Sequence, residues 1–137
     1  MAAPAPQQQR PVLMIGLTFN IPLPPWVLEA FGDGPQIEAG VKADVARAEA
    51  AGFPITPLLV DPQDVEPGLR AFEAQLRSGV FRAVLIGAGV RILPEYSVLF
   101  EKLVDLSRTI VPDVPILFPA APGTTGEALG RVFGITV

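Results

Sequence analysis

The residues of this chain best equipped for chemistry stand together between Gly87 and Tyr96, in GAGVRILPEY. Arg91 could hold a carboxylate or phosphate through paired N–H bonds, and Gly87 and Gly89 would let backbone amides approach such a group closely. Glu95 and Tyr96 could move a proton beside it. Two other stretches offer related groups: Thr18 and Asn20 after an apolar run, and Gly123, Thr124 and Thr125 before the last amphipathic segment. A helix start at the latter would present unpaired N–H groups to an anion. Glu95 and Tyr96 are therefore the catalytic candidates. The ligand-binding candidates are Thr18, Asn20, Gly87, Gly89, Arg91, Gly123, Thr124 and Thr125.

Each has a plainer structural reading. Gly87 and Gly89 are glycines of the kind any strand-to-helix turn needs, and they miss the dinucleotide fingerprint because its third glycine would fall at Ile92. GTTGEA from Gly123 lacks the lysine and the spacing of a phosphate loop, while Thr124 and Glu127 have the spacing of a capping box. Arg91 could equally tie down a backbone carbonyl or Glu95. Trp26 and Phe31 could pack on the domain or on a second subunit, Asp61 and Asp64 read as turn and cap residues, and Glu101, Lys102 and Asp105 read as a solvated helix face.

Composition removes whole classes of function. The chain has no cysteine and no histidine, which excludes disulfides and thiolate metal sites and takes away the commonest general base. No Ser-His-Asp, Cys-His or carboxylate-cluster arrangement can be written, and no metal and no cofactor is expected. A cobalamin module would want a histidine, and a signalling receiver would want an acidic cluster after the first strand and an aspartate after the third. A net charge of -4 without a Lys or Arg cluster argues against a nucleic-acid partner. Charges or prolines interrupt every apolar run before the ~20 residues of a membrane span. The opening MAAPAPQQQRP lacks the apolar core of a secretory signal, so a cytoplasmic protein is expected, with residues 1–10 as a disordered tail.

These groups need a frame, and periodicity supplies one. RPVLMIGLT reads as a first strand ending in a glycine turn, and NIPLPPWVLEAFGDG as a long apolar loop with at most one helical turn, because its prolines forbid regular structure. Asp33, Pro35 and Gln36 mark the start of a helix with Ile37, Val41, Val45 and Ala48 on one stripe, ended by Gly52. FPITPLLV is a second strand, pushed to an edge by Pro54 and Pro57. Asp64 should cap a helix carrying Leu69, Phe72 and Leu76, closed by Gly79. A third strand from Phe81 precedes what should be the longest helix, opened by Pro94, whose wide face from Tyr96 to Ile110 predicts burial on two sides. VPILFP is a short fourth strand before a last helix. Strand and helix alternate through 11–137, which predicts one α/β domain, a three-layer αβα sandwich on a four-stranded parallel sheet of order 2-1-3-4, Rossmann-like or flavodoxin-like.

VLIGAGVR followed by PEYSVLFEKLVDL resembles small uncharacterised single-domain α/β proteins in which an I-G-x-G-x-R turn precedes a helix containing F-E. The resemblance runs from about Val12 to Phe133 and implies the same Rossmann-like or flavodoxin-like domain, with no activity attached. In such a sheet the loops after the first, third and fourth strands converge, so a small anionic or polar ligand is expected there. The alternatives are a metal-independent enzyme using Glu95 or Tyr96 with Arg91, and an assembly protein. Half the residues are apolar and mean hydropathy is +0.44, which predicts a homo-oligomer, joined through the Pro22–Phe31 loop or the 95–110 helix.

Overall fold

The computed structural model describes residues 10–18 and 22–134. Val12–Leu17 forms β1, Ile55–Val60 β2, Ala83–Ile86 β3 and Ile116–Leu117 β4. All pairings are parallel, in the order β2-β1-β3-β4, with Val12 beside both Ile55 and Ala83 and Val84 beside Ile116. The expected sheet order and the edge position of β2 are therefore what the chain adopts. Pro57 sits opposite Met14 on β2, and an edge strand tolerates its missing donor.

Six helices among the described residues pack around this sheet: α1 (Pro25–Phe31), α2 (Gly34–Ala50), α3 (Glu66–Arg77), α4 (Ala88–Ile92), α5 (Ser97–Ile110) and α6 (Thr125–Phe133). The alternation of side chains along β1 separates two faces. Leu13, Ile15 and Leu17 join Phe72 and Leu76 of α3 and Leu99 and Leu103 of α5. Val12 and Met14 join Ala48 of α2 and Ala128 and Leu129 of α6. Arg82 is buried on the second face, its guanidinium 4.5 Å from the centre of the Phe53 ring and 4.1 Å from that of Phe133. No helix among the described residues is long and apolar enough to cross a membrane.

Several local expectations need correction. Within the expected loop, of which Asn20 and Ile21 lie outside the described residues, Pro25–Phe31 is a helix, because its prolines come early enough to start one: Pro24 holds the extended cap position and Pro25 the first turn, where no N–H is required. Gly16 does not turn the chain but lies inside β1. Asp64 caps nothing; Val65 precedes α3 without a side-chain cap, and Asp64 N instead donates to the Asp61 carbonyl. The GAGVR turn is itself the short helix α4, and Pro94–Tyr96 is a 3₁₀ turn leading into α5. The longest helix is α2, with 17 residues against 14 in α5. Burial of α5 is one-sided, since Leu99 and Leu103 are buried while Val98 is 61% exposed. The box predicted at Asp33 does form, with Gln36 N and Asp33 N each 2.9 Å from the other residue's side-chain oxygen.

Candidate functional site

Because β1 lies between β2 and β3, the connections that leave β1 and β3 depart in opposite directions and open a crevice at the carboxyl ends of the strands. A cavity of about 110 Å³ occupies it. Gly16, Leu17 and Thr18 at the end of β1 form one wall, and Gly87, Ala88 and Gly89 beyond β3 form the next. Leu23 with Val27 and Phe31 of α1 close a third side, and Ile37 and Val41 of α2 a fourth. The segment from Pro119 to Gly123, with Thr125 at the start of α6, forms a further wall. Thr18 and Thr125 contribute the only polar side chains of this wall among the described residues, and no charged residue lines it.

Glycine makes the space. Gly16 stands in the middle of a buried sheet, yet a Cβ built on it would meet no described atom within 4 Å. A residue with a side chain would occupy the cavity directly. Gly87 serves the backbone instead, since its Cβ would lie 3.3 Å from the Ile15 carbonyl oxygen and its N–H donates to that oxygen at 2.8 Å. It lets the chain leave β3 in close contact with β1, so that α4 begins at the cavity wall.

The candidate residues divide on this geometry. Thr18, Gly87, Gly89, Gly123 and Thr125 line the cavity. Asn20 lies outside the described residues. Arg91 lies elsewhere: it donates to the Pro119 carbonyl, its guanidinium carbon is 5.4 Å from the Phe118 ring centre, and its Nε is buried with no hydrogen-bond partner among the described residues. Burial holds its pKa below the ordinary guanidinium value. No ion pair links it to Glu95 among the described residues. Glu95 is exposed and Tyr96 half-buried, and neither touches the cavity. Burial first, and the Glu95 charge second, push the Tyr96 phenol above its usual value.

The predicted capping box at Thr124 is not what forms. The Thr124 hydroxyl donates to the Ala121 carbonyl at 2.8 Å and accepts from the Ala121 N–H at 3.1 Å. The open end of α6 is filled from another helix: Asp44 of α2, 3% exposed, accepts from Thr125 N at 2.7 Å and pairs with Arg47 at 3.2 Å. Composition gave Asp44 no prominence. Its signal was positional, because it falls on the stripe of Ile37, Val41 and Ala48 where an uncompensated carboxylate would be costly. Gly16 was equally readable as a glycine inside an apolar strand, a place where something else approaches the backbone.

Fold and crevice together define a small α/β domain with a flavodoxin-like parallel sheet and an apolar cavity at its topological switch point. Compared with models of protein families, with curated proteins and with solved structures, the chain matches none. The α/β architecture on four parallel strands that the alternation of strand and helix predicts is the one observed.

Proposed function

We propose that this domain is a binding protein for a small organic molecule, held in the crevice at the carboxyl ends of β1, β3 and β4. The observation that carries the reading is the apolar cavity at the switch point, beside a glycine in the central strand. Open parallel sheets take their ligands at this place. A metal-independent enzyme receives less support, since Glu95, Tyr96 and Arg91 all stand outside the cavity wall. The test is methyl NMR of the protein against a panel of neutral, anionic and cationic fragments. Binding should shift the methyl signals of Leu17, Val27 and Ile92; a panel that shifts none of them removes the site.

Self-association is a second reading, favoured by Trp26 and Leu28, which are 48% and 46% exposed on α1. Aromatic and aliphatic side chains of this kind supply the centres of protein interfaces. If α1 joins two copies, sedimentation equilibrium should give a dimer that the double variant Trp26→Ser, Leu28→Ser turns into a monomer. A wild-type monomer at all concentrations ends this reading and leaves the crevice intact.

A further inference from the structure

An α/β crevice of this kind is ordinarily an anion site, since helix starts and arginines gather at the carboxyl edge of the sheet. Here the start of α6 and Arg91 are already engaged, and the short α4, which begins at the wall, brings it backbone amides but no charged side chain. The first N–H of α6 lies 2.7 Å from the Asp44 carboxylate, so the helix end that could have met a phosphate holds a buried carboxylate of the protein's own. Arg91 is held by the Pro119 carbonyl and the Phe118 ring, and it does not line the cavity. An anion entering the cavity would lose its hydration and meet no charged side chain among the described residues of the wall. A cation would fare no better, because Asp44 is already shared between Thr125 N and Arg47 and lies behind the wall.

We infer that the ligand is an uncharged, predominantly hydrocarbon molecule, a short aliphatic alcohol or a single aromatic ring. The inference rests on the binding reading above and assigns the chemical class of what that site takes. Size agrees: the cavity of about 110 Å³ is on the scale of the ~150 Å³ apolar cavity that admits benzene. Among the described residues every lining side chain other than Thr18 and Thr125 is apolar, so most of a ligand's surface would meet hydrocarbon. The Thr18 and Thr125 side chains are, among the described residues, polar groups on the wall that could meet a ligand hydroxyl.

A matched pair of probes tests the class. 1-Hexanol and hexanoate share a chain length and differ in charge at neutral pH. Each is titrated into the full-length protein, with affinities taken from the methyl shifts of Leu17, Val27 and Ile92, and the pair toluene and benzoate repeats the comparison for a ring. The neutral member of at least one pair should bind at least tenfold more tightly than its anion. If an anion binds as well as its neutral partner, or within tenfold, the inference is overturned while the site itself stands. If no probe of either pair shifts those methyls, both the inference and the binding reading are overturned. Gly16→Val supplies the check on location: it should abolish the 1-hexanol shifts, and undiminished binding in that variant would place the hydrocarbon elsewhere and refute the assignment.

Discussion

Replacing Gly16 by valine should make the protein more stable and unable to bind. At this position the strand conformation suits a β-branched residue, φ is not in the left-handed region, and the added Cβ meets no described atom within 4 Å. Three carbons would enter a cavity of about 110 Å³. Each buried carbon contributes about 0.8 kcal/mol at best, and loss of glycine's extra unfolded-state freedom adds roughly 0.5–1 kcal/mol. Imperfect packing takes back part of this, leaving a net gain of about 1–2 kcal/mol. The empty cavity, at about 24 cal/mol per Å³, represents roughly 2–3 kcal/mol, so the estimate stays within what filling it can return. For a domain of this length that is a rise of about 3–10 °C in Tm, readable by calorimetry or by circular dichroism. A lower Tm for Gly16→Val would mean that the space is not there, and the argument from Gly16 to a binding crevice would collapse with it.

Two other results are expected. Asp44→Ala removes the acceptor at the start of α6 and leaves the buried Thr125 N–H without its partner, which should cost about 1–3 kcal/mol in denaturant unfolding; Asp44→Asn, which keeps an acceptor oxygen, should lose less, and equal losses would show that the cap is not the cause. Tyr96 is the chain's only tyrosine, so its ionisation can be followed directly by ultraviolet absorbance. The midpoint should lie above the ordinary value of 10.0 and fall partway toward it in Glu95→Gln, because burial is the larger cause and remains. The folded state then holds this proton more tightly than the unfolded chain, so the linked stability is complete below pH 10 and is lost as pH rises through the folded value. A midpoint at or below 10 refutes the environment assigned to Tyr96.

The sheet was legible because its signals are redundant. Apolar runs of strand length, prolines at Pro54 and Pro57 and the stripes of Ile37 to Ala48 and Leu69 to Leu76 all agree with one topology, and consistency of that kind specifies a fold. The stretch from Pro22 to Phe31 misled because a proline forbids a helix interior and favours a helix start, and residue type alone does not say which applies. The cavity was partly legible: five of the named residues line it, while Arg91 and Thr124 turn to backbone partners instead. Their partners, Pro119 and Ala121, lie in the irregular segment after β4, whose path depends on packing that no periodicity records. Asp44 was hidden for the same reason, its partner being 81 residues away.

That separation also bears on how the domain comes into being. The face formed by α2 and α6 is joined by Asp44 to Thr125, and by Arg82 held between Phe53 and Phe133. Neither clasp can close until the chain has been made as far as α6. The helices of the opposite face, α3 and α5, are made before α6, ending at Arg77 and Ile110. Contacts across long stretches of chain carry the larger closure entropy and form later. During synthesis α3 and α5 are thus available to one side of the sheet before α6 can cover Met14 and Leu85 on the other.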